Sequence, residues 1–244
     1  MPAYRLTELS VAMFVIIPVV LFAILVRSIV AAWLRAGASG SAARRAGAIV
    51  AAVSAIWMVA TWMIAASGAL QSWDRTPPPF VLLLVGVIAV SVTLAFSRAG
   101  RSLATYMPLW GLVAVQGFRL PLELAMHRMA ERGIMPPQMT YTGRNFDIVS
   151  GTSALVVALL VARGIGGRRL VTLWNVVGFA LLINIIVVAV LSTPAFAYFG
   201  PDRLNTFVTY VPFVWLPAVM VSAALAGHLI IARAIASPKL SVRS

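Results

Sequence analysis

Long apolar runs, separated by short polar or basic segments, constrain this chain more than any other feature of its sequence. Hydrophobic residues make up 61% of the chain and charged residues only 10%, and the mean hydropathy is +0.98. A soluble domain carries about 25% charged residues. A chain of 244 residues cannot keep this much apolar surface away from water, so we expect lipid to be its solvent.

Seven of these runs are long enough to cross a bilayer, because about 20 apolar residues in a helix span the hydrocarbon core. The sequence therefore predicts an all-α fold, a single polytopic membrane helix bundle over residues 1–244 with seven transmembrane helices. The predicted spans cover residues 9–34, 46–70, 80–97, 103–126, 146–163, 170–191 and 204–232. Pro212 and Pro217 are expected to bend the last span, because each removes a backbone donor and crowds the preceding turn.

The first run could instead be a cleaved signal peptide. Its positive charges follow the apolar region, beginning at Arg27 and Arg35, whereas a signal peptide carries them in front. The small residues at 36–43 nevertheless resemble a cleavage site. Cleavage would leave six spans and would not change the orientation of the others.

Small residues recur at every fourth position in three spans, which lets a neighbouring helix approach closely. These seams are Gly47, Ala51 and Ala55; Ser150, Ala154, Ala158 and Ala162; and Ala218, Ser222 and Ala226. They predict close helix packing, either inside the chain or against a homo-oligomer or partner membrane protein.

The distribution of basic residues predicts the orientation of the chain. If the N-terminus is outside, one side of the membrane receives 12 basic residues, namely Arg27, Arg35, Arg44, Arg45, Arg98, Arg101, Arg163, Arg168, Arg169, Arg233, Lys239 and Arg243. The other side receives 6, namely Arg5, Arg75, Arg128, Arg132, Arg144 and Arg203. The positive-inside rule then places the N-terminus outside and the C-terminus in the cytoplasm.

The net charge of +13 does not indicate a nucleic-acid partner, because the basic residues stand singly or in pairs between apolar runs. Of 19 basic residues only Lys239 is lysine, and alanine is used heavily. This bias indicates a GC-rich bacterial genome. We therefore expect a multi-pass protein of the bacterial inner (plasma) membrane, with the lipid bilayer as a partner.

The most informative polar stretch runs from Gln116 to Asp147. Arg119 and Glu123 lie one helical turn apart on one face of the span predicted over 103–126. Asp147 begins the following span on the same outer side of the membrane. A charge in hydrocarbon costs at least about 2.5–3.5 kcal/mol, so these side chains are expected to face the bundle interior or a wet cavity.

Further polar residues are expected at the same outer level, because their spans reach that side of the bilayer. The predicted ligand-binding site or ion-pair network comprises Gln116, Arg119, Glu123, Arg144, Asn145, Asp147, Asn184 and Tyr210. Asn205 lies close to them in the same topology, whereas Asn175 is interpreted as a contact between helices.

Three interpretations of these residues stay open. In a polar pocket open to the outside, Arg119 would bind an anion, or Glu123 and Asp147 would exchange a proton or cation. In a structural network, the same charges would pin two spans together while Arg144 capped the loop. In the third interpretation the side chains contact lipid headgroups. A helix start also explains Asn145 as an N-cap and Asp147 as a first-turn acid.

Two segments of this stretch, F-R-L-P-L-E at 118–123 and G-R-N-F-D-I at 143–148, resemble the pattern of an uncharacterised family of bacterial multi-span membrane proteins. The resemblance covers residues 116–154, with a looser echo in V-P-F-V-W-L-P at 211–217. It implies a multi-span membrane fold and adds no known activity and no further site residue.

No cofactor or metal is expected. The chain has no cysteine, which excludes disulfides and thiolate ligands, and two histidines do not suit a catalytic zinc site. A retinal protein needs a Schiff-base lysine inside the bundle, but Lys239 lies in the tail. His127 and His228 are expected near opposite sides of the membrane, too far apart to hold one haem.

The sequence favours a binding function over an enzymatic one. It contains no H-E-x-x-H, G-x-S-x-G or phosphate-binding glycine motif, although Glu123 and Asp147 could act as an acid–base pair. We expect transport or sensing of a small solute or ion. The alternative is a structural or accessory membrane subunit that binds partner helices or lipids. A water-accessible site would favour the first function, and a closed, fully paired cluster the second.

Overall fold

The structure is a computed structural model that describes residues 8–237, and every regular element in this range is helical. The α-helices of this range are α1 (Leu9–Arg35), α2 (Gly40–Ala66), α3 (Pro79–Phe96), α4 (Arg98–Tyr106), α5 (Leu109–Val115), α6 (Arg119–Glu131), α7 (Asp147–Ala162), α8 (Gly167–Leu191) and α9 (Ser222–Ala236). The predicted all-α fold is confirmed for these residues. The predictions that rest on Arg5, Lys239 and Arg243 lie outside them.

Within the described range, 5 helical segments are long and apolar enough to cross a membrane. They are α1, α2, α3, α8 and the segment Leu216–Ala236, which contains α9. A sixth helix, α7, is apolar but only 16 residues long. These segments identify the chain as a multi-pass integral membrane protein.

The span predicted over 103–126 has the wrong bounds. Pro108 interrupts the helix there, because proline cannot donate a backbone hydrogen bond and suits the first turn of a new helix. The short helix α4 ends before it, and α5 begins directly after it. A 3₁₀ turn at Gln116–Phe118 joins α5 to α6, so that helical backbone continues from Leu109 to Glu131.

The span predicted over 204–232 also begins too early. Residues 204–215 form turns, and the regular helical segment starts at Leu216 with a π-helical stretch to Val221. Pro212 lies in the turns, whereas Pro217 lies in the π-helical stretch, so a proline does disturb the helix where it enters the bundle.

Two tryptophans fasten this π-helical stretch to α2. The indole nitrogen of Trp57 donates to the carbonyl of Ala218 over 2.7 Å, and that of Trp215 donates to the carbonyl of Met58 over 3.1 Å. The indole of Trp57 thus satisfies a carbonyl of the irregular backbone, and that of Trp215 ties the start of this stretch to the backbone of α2.

The remaining predicted spans agree with the structure to within a few residues, except at α2. The predicted span over 46–70 begins too late, because α2 starts at Gly40 and ends at Ala66. Ser39 caps this earlier start, since its hydroxyl accepts from the backbone nitrogen of Ala42 over 3.3 Å. The first turns of α2 therefore carry basic residues, which the apolar pattern alone had placed in a loop.

The ends of the helices form two opposite faces of the bundle. On the first, which we call the α4 face, α4 packs against the ends of α1, α3 and α9 through Ile29, Ala32, Ala95, Leu103, Ala104, Ile230 and Ala234. On the second, which we call the loop face, residues 132–146 cover the start of α1 and the end of α6. Buried members of the loop face include Val11, Phe14, Met129, Met135, Met139, Phe207 and Phe213.

The small-residue seams pack helices together in two of the three predicted places. Ala218, Ser222 and Ala226 are buried, and so are Ser150, Ala154 and Ala158 on α7. In α2 only Gly47 makes a close contact, because a Cβ there would lie 2.5 Å from Cγ2 of Val30. Ala55 remains exposed.

Candidate functional site

The buried charges of the bundle meet where α6 packs against α7. Arg119 is only 1% exposed, and its Nη1 lies 3.6 Å from Oδ1 of Asp147 at the start of α7. Gly151 permits this approach, because a Cβ at that position would lie 3.0 Å from Cβ of Arg119. The two helices therefore hold a guanidinium and a carboxylate side by side without a direct hydrogen bond.

Asn145 connects the second carboxylate to this pair. Its amide nitrogen donates to Oε1 of Glu123 over 2.7 Å and to the carbonyl of Met139 over 3.0 Å. Its side-chain oxygen accepts from the backbone nitrogen of Asp147 over 3.0 Å. The expected N-cap role of Asn145 is wrong, because Phe146 occupies the N-cap position of α7 and Asn145 precedes it. Arg119, Glu123, Asn145 and Asp147 thus form one unit, which we call the carboxylate cluster.

The charges of the carboxylate cluster do not balance. It contains one guanidinium and two carboxyl groups, and its three ionisable residues are 1%, 2% and 7% exposed in the order Arg119, Glu123, Asp147. With all of them ionised the cluster carries a net charge of −1. The side chain of Asp147 is the most exposed of the three at 9%, and Asp147 begins α7 directly after residues 132–146 of the loop face.

Several polar atoms of the carboxylate cluster have no hydrogen-bond partner within the described part of the chain. They are Oε2 of Glu123, Oδ1 of Asp147 and all three guanidinium nitrogens of Arg119. Buried polar groups in proteins nearly always have partners, because an unsatisfied one costs about 1–3 kcal/mol. The cluster is therefore closed to bulk solvent and incompletely satisfied by its own side chains.

A second polar group lies deeper in the bundle, at His228 on α9. Its Nδ1 lies 2.8 Å from Oδ1 of Asn175 on α8, and the Asn175 amide donates to the His228 carbonyl over 3.3 Å. The imidazole stacks on Trp174 with ring centroids 5.5 Å apart. His228 is thus packed between helices and buried, although the sequence placed it near one side of the membrane.

Sequence reasoning did not connect His228 to the charged residues. Gly178 makes room for its ring, because a Cβ there would lie 2.9 Å from Cε1 of His228 and 3.6 Å from the hydroxyl of Ser150. Asn175 and Gly178 lie three residues apart on one face of α8, which is the sequence signal that could have revealed the contact.

Ser150 and Gln116 continue the polar line from the carboxylate cluster towards His228. Ser150 lies one turn after Asp147 on α7, and the amide of Gln116 rests directly against Gly227. The hydroxyl of Ser150, both amide atoms of Gln116 and Nε2 of His228 are also buried without a hydrogen-bond partner in the described residues.

The structure places three of the predicted site residues elsewhere. The guanidinium of Arg144 is exposed and lies 5.4 Å from the ring centroid of Phe199, while its backbone carbonyl accepts from the amide of Asn184 over 2.8 Å. Tyr210 is half-buried among apolar residues of the loop face. The prediction that Arg144, Asn184 and Tyr210 share one site with Arg119 is therefore wrong. Turns rather than a helix position Arg144 and Tyr210, and Asn184 on α8 contacts the backbone of Arg144 instead.

The two histidines occupy separate environments. His127 lies beside Tyr141, with ring centroids 4.7 Å apart, and its Nε2 is 3.4 Å from Oε1 of Glu131. Within residues 8–237 no group of three His, Cys, Asp or Glu side chains is arranged to hold a metal ion.

The fold and the site together define a class of protein: a multi-pass helical membrane protein with an unbalanced charged cluster buried between two helices. No known protein family matches the chain, and no curated protein or solved structure matches it either. The geometry of the carboxylate cluster is therefore the main indication of function.

Proposed function

We propose that the carboxylate cluster binds one proton or one small monovalent cation, and that this binding serves ion transport or sensing across a bacterial inner membrane. The observation that supports the proposal most strongly is the excess of one carboxyl group over the single guanidinium in a buried site. An uncompensated charge in a low-dielectric interior is costly, so the cluster gains stability from one added positive charge.

The positions of the hydrogen bonds favour Glu123 and Asp147 as the groups that exchange this charge. Asn145 occupies Oε1 of Glu123, which leaves Oε2 without a partner, and Oδ1 of Asp147 makes only the longer contact to Arg119. A proton on either carboxyl group would neutralise the cluster, and its hydroxyl could donate to a neighbouring oxygen.

The enclosure of the cluster favours an ion over a larger solute. Arg119 and Glu123 are almost completely buried, and Asp147 is only slightly more exposed, so the cluster leaves no room for a larger solute. The sequence left two alternatives, a ligand pocket and a structural network that holds two helices together. The observed cluster is closed, as a structural network would be, but its carboxylate oxygens without hydrogen-bond partners in the described residues favour an exchangeable charge.

The proposal includes seven membrane crossings, with the N-terminus outside and the C-terminus in the cytoplasm. The five long apolar segments are joined by two further crossings, one through α5 and α6 and one through α7. The positions of the helix ends support this arrangement, because successive ends along the chain lie alternately at the loop face and at the α4 face. The excess of basic residues then places the α4 face in the cytoplasm.

Thermal unfolding of the purified protein in detergent tests the proposal. Wild type is compared with Glu123→Gln in sodium, lithium, potassium and choline salts across a pH series. Arg119 of α6 and Asp147 of α7 are the charged groups that act on Glu123, and His228 of α9 is a titratable group that interacts with Arg119. Glu131→Gln is the matched control, because Glu131 lies on the same helix with its side chain 48% exposed.

If a proton occupies the site, the melting temperature of wild type in choline should fall as the pH rises, because the cluster then loses its neutralising charge. If a metal cation occupies it, sodium or lithium should restore the lost stability at high pH. Glu123→Gln should abolish both responses and Glu131→Gln neither. Identical pH and cation responses in wild type and Glu123→Gln would refute the proposal.

A further inference from the structure

A large groove opens on the side of the bundle, away from the carboxylate cluster. It lies between α1 and α2 on one side and α3 and α9 on the other, and its volume is about 1040 Å³. Pockets for small ligands usually have volumes of about 300–1,000 Å³, so this groove is at the upper limit of that range. Trp57 forms part of its wall and comes close to Gly86 of α3.

The groove is apolar along most of its length and basic at one end. Arg45 near the start of α2 and Arg98 at the start of α4 line it at the α4 face, and its lining contains no acidic residue. Both arginines are exposed, and neither forms an ion pair in the described part of the chain. This end therefore complements an anionic group attached to an apolar body.

One buried polar side chain deep in the groove wall differs from the others there. Ser91 and Ser222 each donate their hydroxyl hydrogen to a backbone carbonyl one turn earlier in the same segment. Gln116 is 0% exposed, lines the groove, and has neither a donor partner for its oxygen nor an acceptor partner for its nitrogen among residues 8–237. It lies seven residues beyond the start of α5 at Leu109, which corresponds to a depth of roughly 10 Å along the helix. An unsatisfied amide at this depth favours an occupant that carries oxygen atoms below its charged group.

We propose that the groove is a binding site for an anionic phospholipid of the cytoplasmic leaflet. The phosphate lies between the guanidinium groups of Arg45 and Arg98, and the acyl chains follow the apolar walls formed by α1, α2, α3 and α9. The ester region faces Gln116, whose amide nitrogen donates to an ester oxygen. Basic pockets between transmembrane helices at the cytoplasmic side bind anionic headgroups in this way.

The two arginines that line one end of the groove favour a lipid over a partner helix as the occupant. A transmembrane helix from another subunit would fill the apolar part of the groove, but it would satisfy the two guanidinium groups only with acidic residues at the membrane surface. A phosphate accepts from both groups at once, and its hydrocarbon chains need no further specificity. None of the four residues of the carboxylate cluster lines the groove, so ion binding and lipid binding can fail separately. The assignment to the cytoplasmic leaflet rests on the orientation included in the proposed function.

Lipid binding to the full chain can be measured by native mass spectrometry after release from phosphatidylcholine nanodiscs with or without added phosphatidylglycerol. Wild type should retain phosphatidylglycerol in preference to phosphatidylcholine. The double variant Arg45→Gln/Arg98→Gln should bind phosphatidylglycerol roughly 10- to 30-fold more weakly, since each basic residue near the membrane surface contributes about 1 kcal/mol.

The control Arg44→Gln/Arg101→Gln removes the same charge from exposed residues at the same face that do not line the groove. It should keep the preference for phosphatidylglycerol. Equal losses in the two double variants would overturn the proposal, because they would show attraction to the general surface potential. Equal retention of both lipids by wild type would overturn it as well.

Filling the groove tests the acyl-chain part of the site without changing any charge. Ser54→Phe places a ring in the groove wall and should weaken lipid retention, whereas Ala52→Phe, on the exposed face of the same helix, should not. If Ser54→Phe instead dissociates a dimer of the chain and leaves lipid retention unchanged, the occupant is a second copy and the proposal is wrong.

Discussion

Helix α6 carries two pairs of arginine and glutamate in two different environments. In the exposed pair, Nη1 of Arg128 lies 3.2 Å from Oε2 of Glu131, and both side chains are largely in contact with solvent. In the buried pair, Arg119 turns to Asp147 on α7, and Glu123 turns to Asn145. Arginine and glutamate thus contact each other at the C-terminal end of α6. At the N-terminal end they contact α7 and the loop before it.

The difference shows what burial adds to a charge. Water satisfies whatever the exposed pair leaves unpaired, so its contribution to stability is small. The buried pair has no such solvent and depends on its neighbours for every hydrogen bond and for charge balance. We infer that the buried pair defines the function of the bundle and that the exposed pair is a surface feature, and the substitutions below test that contrast.

The largest effect is expected from Arg119→Gln. It leaves two buried carboxyl groups without a positive partner, and breaking a buried pair in this way costs roughly 3–5 kcal/mol. The matched change Arg128→Gln should alter the free energy of unfolding by no more than about 0.5 kcal/mol, as is usual at the surface. Chemical unfolding in detergent measures both, and equal effects would remove the distinction between the two pairs.

The approach of α7 to the buried pair can be blocked with Gly151→Ala. The new Cβ would meet the backbone nitrogen of Leu120 at 2.5 Å, and backbone atoms cannot yield as a flexible side chain does. We expect a loss of about 1–3 kcal/mol in unfolding free energy. Gly40→Ala is the control, because its nearest neighbour is the flexible guanidinium of Arg44 at 3.4 Å. Similar losses in both variants would argue against tight packing of α6 on α7.

Asn145→Ala sharpens the comparison by removing the residue that ties Glu123 to the loop and to α7. Three hydrogen bonds are lost, and one of them is made to a carboxyl group, so we expect a cost of about 2–3 kcal/mol. Asn184→Ala removes one hydrogen bond, to the carbonyl of Arg144, and should cost about 1 kcal/mol. If Asn184→Ala were the more damaging, the loop rather than the cluster would hold this region together.

Among the substitutions within the carboxylate cluster, the smallest change in stability is expected from Glu123→Gln. The new side chain keeps the oxygen to which Asn145 donates, and Arg119 remains balanced by Asp147, so unfolding should change by no more than about 1 kcal/mol. The response of the melting temperature to pH and cations should nevertheless disappear. A severe loss of stability would instead support a network that requires both carboxylates.

The sequence predicted most of the fold, because apolar length and helix period directly reflect the cost of exposing backbone to lipid. It failed where a proline or a cap decided the boundary. Pro108 split the span predicted over 103–126, and Ser39 started α2 before the apolar run began. Each signal comes from a single residue, and a hydropathy pattern averages over it.

The candidate site was also predictable in part, because the sequence shows which charges lie in apolar spans but not how the helices pack. Arg119, Glu123 and Asp147 stood out because charges in apolar spans are costly and must find one another. His228 and Ser150 did not stand out, because their contacts depend on how α7, α8 and α9 pack and on the space left at Gly178. Arg144 and Tyr210 were misplaced because irregular turns, which have no period, set their positions.

Infrared spectroscopy of the carboxyl groups would test the central claim most directly. Wild-type protein in a buffer whose only salt is choline chloride should show the carbonyl stretch of one protonated carboxyl group, and sodium or lithium should remove that band if a metal cation can replace the proton. The band should be absent in Glu123→Gln and unchanged in Glu131→Gln. A wild-type spectrum without any protonated carboxyl group, and without a response to cations, would contradict the proposal that the cluster holds an exchangeable positive charge.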